Sequence, residues 1–364
     1  MGGDVPGSMA LSPDGHVFHG NGHGGFQIGG NGPFGGGGCC TPIWYDLDVS
    51  WSTLRRKDTD GMLLSTRGVD GDPVLSTSDV DGEDAHGFRL TYAMLIGSAT
   101  SLEAGYFGSH EWDESASVTG ASDLYSVFSN FGLDQSLDNS IPPNVILGFP
   151  QTVDAAIYHG VAFSSDMQSF ELNIRRRWIK GGCLLHGSYL AGIRYVSLDE
   201  HLSYDTEVAD GGFLNYDIEA ENEAFGFQLG GDLFLSISPR FKIGVEFEGG
   251  VFGNEATATS VTNLGELTDV GGGNFEVVNA PTLNEEDSET DVAFIGKLSA
   301  TAMFRVTPRL TIKGGYTAFY LDNMALAVDN FNTQYPGNTP RTSVFNNEGD
   351  VVYHGANLGL TWMW

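Results

Sequence analysis

Hydrophobic positions recur at every second residue along most of the chain from Ile43 to Trp364, the period of a β-strand whose two faces meet different surroundings. In 88–96, Phe88, Leu90, Tyr92, Met94 and Ile96 share one face, with Arg89, Thr91 and Ala93 on the other. In 102–112, Leu102, Ala104, Tyr106 and Trp112 oppose Glu103 and Glu111. The same alternation runs through 225–237, 241–251, 292–306 and 310–320, and the chain closes on Leu358, Leu360, Trp362 and Trp364. Three further segments are noisier: Ile43 to Trp51, Tyr189 to Tyr195, and a long stretch from about 152 to 177. That stretch changes parity between its halves, which predicts a bulge near Ser164–Asp166. Ten strands are expected in all.

Connections of two kinds separate them. Gly97–Ser101, Trp178–Leu184, Ser236–Arg240 and Thr307–Arg309 are short, whereas 55–86, 112–152, 198–224, 252–291 and 321–350 are long. They alternate strictly, the signature of an antiparallel up-and-down β-barrel with tight turns at one rim and large loops at the other. An even strand number puts both barrel ends on the tight-turn side. Residues 1–42 lie outside the pattern as a Gly-rich tail, leaving 43–364 as the barrel. A sandwich with one solvated charged face would alternate in the same way. The terminal Leu358-x-Leu360-x-Trp362-x-Trp364 argues against it, because a sandwich has no reason to end mid-strand on an aromatic.

Charge indicates which face is which. Fifteen charged residues oppose the apolar face: Asp46, Asp48, Glu103, Glu111, Glu171, Asp232, Glu246 and Glu248, with Arg89, Arg175, Arg194, Lys242, Lys297, Arg305 and Lys313. Eight acids against seven bases suits a lumen in which they pair or line water. The other face, aliphatic with Tyr and Trp near its ends, suits lipid. The whole chain has 47 acidic and 17 basic residues in 364, a formal charge of −30. The five long connections hold 35 of those acids and five bases, whereas the short turns are basic (Arg176, Arg177, Lys180, Arg240, Arg309). Such a chain offers no basic surface for nucleic acid. Its 41% hydrophobic content excludes global disorder. No basic and apolar leader follows Met1, so any signal peptide is expected to have been removed already.

The run Phe170-Glu-Leu-Asn-Ile-Arg-Arg-Arg-Trp178, then Gly187-Ser-Tyr-Leu-Ala-Gly-Ile-Arg-Tyr195 and Leu198-Asp-Glu-His-Leu-Ser203, resembles the outer-membrane β-barrel proteins typical of planctomycetes. The resemblance covers about 43–364 and is distinctive over 170–205. It implies an outer-membrane location, contact with outer-membrane lipid, a porin-like or surface role, and no established catalytic residues. Two readings follow for the barrel. One is a structural or porin-like barrel, if open a narrow pore that acidic loops would bias toward cations. The other is a surface interaction protein whose plugged barrel displays acidic loops, with the tail binding a partner or a neighbouring copy.

Local chemistry is sparse. Cys39 and Cys40 precede the first strand and Cys183 lies in a tight turn, so a disulfide from Cys39 or Cys40 to Cys183 is expected at one rim, with a strained adjacent pair or free thiols as alternatives. Asp58-Thr-Asp60-Gly61 and Asp79-Val-Asp81-Gly-Glu83-Asp84 place carboxylates at alternate positions, an oxygen set that Ca2+ accepts. Solvated acidic loops read the same way, and neither segment completes an EF-hand. The closest approach to a catalytic set is His110-Glu111, with His159, His201 and His354 near other loop ends. No Gly-x-Ser-x-Gly accompanies them, and no enzymatic activity is expected.

Overall fold

The computed structural model describes residues 45–58, 61–80, 84–133, 150–179, 184–271, 274–279, 282–335 and 344–364. Among them are thirteen strands: β1 (Tyr45–Asp58), β2 (Leu63–Arg67), β3 (Asp72–Ser76), β4 (Asp84–Leu95), β5 (Thr100–Ser126), β6 (Ala156–Ile179), β7 (Leu185–Val208), β8 (Phe213–Ser236), β9 (Phe241–Gly271), β10 (Asn274–Asn279), β11 (Leu283–Arg305), β12 (Leu310–Met324) and β13 (Gly349–Met363). Ten of them pair antiparallel in the order β1-β4-β5-β6-β7-β8-β9-β11-β12-β13, and β13 pairs back onto β1. The barrel is closed and up-and-down. Closure satisfies the backbone from strand to strand, a requirement wherever the wall meets lipid. β2 pairs with β3 and β5, and β10 with β9, all at the loop end. Both barrel ends meet at the other rim, where Tyr45 and Trp364 exchange backbone hydrogen bonds of 3.1 Å.

The registers set the barrel's size. Followed from Phe304 through Ile312, Leu360, Val49, Leu90, Tyr106, Phe170, Tyr195, Phe225 and Gly253, they return to β11 at Val292, twelve residues from the start. With a rise of about 3.3 Å and a strand spacing of about 4.8 Å, that stagger tilts ten strands by about 40° around a backbone cylinder of about 10 Å radius. Large side chains from opposite walls meet in such a space.

Exposure shows which face is outward. Val49, Trp51, Phe88, Leu90, Phe170, Leu172, Phe227, Leu229, Phe247, Leu298, Leu358 and Leu360 are all exposed. On β8 this band runs from Phe225 to Leu235, about 25 Å along the barrel axis at that rise and tilt. That is the height of a hydrocarbon core.

The structure corrects the expected pattern in three ways. β6 keeps one alternation throughout, and its pairing with β7 is regular across Ser164–Asp166. The bulge lies on β5 instead, where Gly108 and Ser109 together face Gln168 and Ser109 adopts φ 62°. It turns His110 and Trp112 inward and Glu111 outward, so Trp112 leaves the lipid-facing set and Glu111 leaves the lumen set. Second, most of 198–224 and 252–291 is wall rather than loop: β7 and β8 run on to a tight turn at 209–212, and β9 and β11 extend likewise. Third, the inner face changes chemistry along the axis. Toward the tight turns it is charged. Toward the loops it is apolar, with Leu198, Leu202, Tyr204, Tyr216, Ile218, Phe252 and Tyr353 fully buried. The parity change in 152–177 is this swap, with Phe170, Leu172 and Ile174 pointing out and Val161, Phe163 and Met167 pointing in.

Candidate functional site

Inward positions on seven neighbouring strands carry a charged layer. Arg175 on β6 reaches Glu103 on β5 (2.8 Å), Asp232 on β8 and Glu246 on β9 (3.1 Å). Arg194 on β7 bridges Glu171 (2.6 Å) and Glu248 (2.7 Å), and Arg89 on β4 meets Glu171 at 2.7 Å. Lys297 on β11 closes the set against Glu246 (3.3 Å) and Glu248 (3.2 Å). The Lys297 and Glu248 side chains are each 1% exposed. A cavity of about 10 Å³, room for one water molecule, lies beside Arg89, Glu171, Arg194 and Lys297. Nearer the tight turns, Asp46 meets Arg177 (3.3 Å) and Asp48 meets Lys313 (2.6 Å), while Lys242 and Arg305 stand half-buried on the adjoining wall.

Above this layer the bore is filled by apolar side chains and by a strap. Residues 325–335, which follow β12, fold into the barrel and bury Ala325, Leu326, Ala327, Phe331 and Tyr335. A strap of irregular backbone needs hydrogen-bond partners inside an apolar core. Asn222 on β8 supplies two, donating to the Ala325 carbonyl and accepting from its N–H, both at 2.8 Å. Glu200 on β7 accepts from Ala327 N–H (3.1 Å) and holds Arg56 on β1 at 2.8 Å, an ion pair with side chains 0% and 4% exposed. Arg56 also stacks its guanidinium over Phe163 at 4.6 Å. Asn222, Glu200 and Arg56 escaped the sequence reading. Their signal is a lone polar residue on a strand face that has turned apolar.

His159 joins the remaining plug elements. Its Nε2 donates to the Val153 carbonyl at 3.1 Å, on the short helix α1 (Pro150–Val153), so Nδ1 is the acceptor and takes a bond from Ser65 Oγ on β2 at 2.7 Å. Tyr204 OH lies 3.2 Å away and also reaches Ser126 Oγ. Burial pushes the imidazole down to about 4. His110 is buried too, with Nε2 2.9 Å from Ser52 Oγ. Its sequence neighbour Glu111 points outward, so the two form no catalytic pair. His201 faces Asp217 on the outer wall (3.6 Å), and His354 Nδ1 lies 2.7 Å from Tyr316 OH.

The outer wall above the apolar band is acidic. Cross-strand pairing sets Glu111, Asp166, Asp199 and Glu221 side by side on four adjacent strands. Burial first, and then the charges of Asp166 and Glu223, raise the Asp199 carboxyl above its ordinary range. Of the calcium candidates, Asp79 accepts from Ser76 N–H (2.8 Å) and Asp84 pairs with Arg55 (3.1 Å). Asp60, Asp81, Glu83 and the side chain of Asp58 lie outside the described residues, as do Cys39, Cys40, Cys183 and the tail. Among the described residues no three His, Cys, Asp or Glu converge on a metal position.

The model of the family described as Putative beta barrel porin-7 (BBP7) matches residues 53–364. The chain belongs to that family. No curated protein matches it. Among solved structures this BBP7 chain is similar to the outer-membrane protease OmpT from Escherichia coli, at TM-score 0.43 and 12% identity over 89% of this chain and 98% of that one. It is also similar to a Pseudomonas aeruginosa FadL homologue (TM-score 0.27, 9% identity, 88% and 90% covered) and to the Pseudomonas putida toluene transporter TodX (TM-score 0.27, 10% identity, 89% and 90% covered). At such scores no shared site follows.

Two outcomes test this interior. Arg56→Leu leaves Glu200 buried without its arginine and is expected to cost about 3–5 kcal/mol, whereas Arg56→Leu with Glu200→Leu recovers most of that; urea unfolding in lipid vesicles reads both. His159 stays neutral in the fold down to about 4, against an ordinary 6.5. Its contribution is therefore complete above pH 6.5 and is lost as pH falls toward 4, by up to about 1.4 kcal/mol per unit. Unfolding at pH 7.5 and pH 5 reads it together with the like contribution of buried His110, and His159→Gln reduces the difference.

Proposed function

We propose that this member of the porin family resides in the cell outer membrane as a filled barrel, with its tight turns in the periplasm and its acidic wall and loops outside. Its work lies on that outer surface, as a structural or interaction protein. The observation that carries the reading is the filled upper bore, an apolar layer and a bound strap above Lys297 and Glu248, whose side chains are 1% exposed. A barrel of about 10 Å backbone radius is small enough for its own side chains to fill. The affiliation with planctomycete barrels belongs to the same proposal and rests on the 170–205 run. So does the absence of catalysis, which the opposed faces of His110 and Glu111 favour.

The second reading, a narrow cation-preferring pore, draws on five carboxylates against four cations in the charged layer (Glu103, Glu171, Asp232, Glu246 and Glu248; Arg89, Arg175, Arg194 and Lys297). Planar-bilayer recording of the inserted protein at low and high salt separates the two. Silence is the expected result; discrete cation-selective steps would establish the pore and overturn the filled barrel.

A rim disulfide from Cys39 or Cys40 to Cys183 is also proposed. Side chains near the ends of β6 and β1, the strands that flank these cysteines, meet at this rim in the Arg177–Asp46 ion pair (3.3 Å between side-chain atoms). Intact mass is expected to rise by the mass of two hydrogen atoms on reduction; three free thiols beforehand would exclude the bond.

A further inference from the structure

Two tight turns of the barrel are built alike. Residues 237–241, between β8 and β9, read Ile-Ser-Pro-Arg-Phe, and 306–310, between β11 and β12, read Val-Thr-Pro-Arg-Leu. In each, two consecutive N–H groups close onto one carbonyl: Ile237 and Ser238 onto Phe241 (both 3.1 Å), Val306 and Thr307 onto Leu310 (3.0 and 3.2 Å). In each, a hydroxyl ties down the arginine backbone. Ser238 Oγ accepts from the N–H groups of Arg240 (3.4 Å) and Phe241 (3.1 Å), and Thr307 Oγ1 from those of Arg309 (3.3 Å) and Leu310 (3.0 Å). The preceding proline has a fixed φ and stiffens the turn. Arg240 and Arg309 therefore leave their hairpins at the same point.

The turn itself does not call for arginine. Residues 96–100, Ile-Gly-Ser-Ala-Thr, close with the same pair of bonds onto Thr100 (3.0 and 3.2 Å) and carry Ala99 at the equivalent position. In all three turns the carbonyl at that position accepts an N–H from the next strand along the rim: Arg177 bonds Ala99 (2.8 Å), Arg305 bonds Arg240 (2.8 Å) and Met363 bonds Arg309 (2.9 Å). The two arginine turns are neighbours, because β9 and β11 pair directly. Two strand spacings, about 10 Å, separate them, a gap that two arginine side chains can close from either side.

Both arginines are exposed, and neither guanidinium is held by a hydrogen bond or an ion pair among the described residues. No acidic residue occurs in 95–100, 236–241 or 305–310. The wall beside them is apolar: the outward positions of β9 from Phe241 to Gly253 and of β12 from Leu310 to Tyr320 carry no charge. Ile237, Phe304, Val306, Trp362 and Trp364 are exposed around the two turns. Two cations without a counter-charge at the edge of an apolar band match the two halves of a lipid, its acyl chains on the band and its phosphate on the guanidinium groups.

We propose that the paired Pro-Arg turns dock the phosphate headgroup of an anionic phospholipid in the leaflet at the tight-turn rim. An acidic protein surface would satisfy Arg240 and Arg309 but not the exposed Ile237, Val306 and Trp364 beside them. The docking rests on the membrane location proposed above and is independent of whether the bore conducts.

The test is native mass spectrometry of the full chain, released from micelles that contain equal amounts of phosphatidylglycerol and phosphatidylcholine of distinguishable mass. The unaltered protein is expected to retain phosphatidylglycerol in preference. Arg240→Gln and Arg309→Gln should each narrow that preference about fivefold, the effect of one cation near an anionic headgroup, and the double variant should abolish it. Arg309→Lys, which keeps the charge, should retain most of the preference, and Lys57→Gln, which removes a cation at the loop end, all of it. Heat-modifiable mobility on electrophoresis after insertion into phosphatidylcholine vesicles confirms that each variant is a folded membrane barrel. It also reads the membrane location separately, so an inserted protein without lipid preference sinks the docking site alone. Equal retention of the two lipids by the unaltered protein, or a folded double variant with the unaltered preference, would overturn the proposal.

Discussion

Closure is the constraint on which everything else depends. Once β13 pairs with β1, ten strands and a twelve-residue stagger leave a cylinder of about 10 Å radius, and no later choice of side chain can widen it. The wall then has no free edge along its membrane band, its outward face there is mostly apolar, and most of what else the sequence carries must go inside or above. A bore of that size is a packing problem as much as a channel. Its contents have to reach interior density or leave voids that cost stability.

The chain meets that problem with two different fillings. Between the apolar belt and the tight turns, Arg175, Arg194, Arg89 and Lys297 cross-link carboxylates from β5 to β9, each charge desolvated only because several partners replace its water. Farther along the axis the wall leaves the lipid and its two faces exchange chemistry. Outside it becomes acidic, at Glu111, Asp166, Asp199 and Glu221; inside it becomes a hydrophobic core of Leu198, Tyr204, Tyr216 and Phe252. The upper half is thus a water-soluble β-barrel built on a membrane one, sharing the same strands. The strap at 325–335 completes that core, and the few polar groups inside it, Asn222 and Glu200 above all, satisfy the strap's backbone.

The same division explains the molecule's polarity. An acidic exterior at the loop end repels polyanions and keeps the long strands soluble, while Lys242, Arg305 and Arg177 collect at the opposite mouth. The two ends of one cylinder therefore carry opposite charge.

The sequence by itself determined the strand count and the antiparallel up-and-down order, because a period of two is imposed by the pleat and survives in any context. It also contained the swap of faces, in the parity change between Phe163 and Phe170, but a bulge produces the same local pattern. Only the tertiary structure decided between them, since the choice turns on whether β6 keeps its register with β7, a property of two strands. The true bulge, at Gly108–Ser109, left no hydrophobic mark, yet it turned His110 and Trp112 inward. The pairing of Arg56 with Glu200, 144 residues apart, and the descent of the strap into the bore were likewise beyond reading. They depend on which side chains face one another across a closed cylinder, and alternation along a single strand has no information about the far wall.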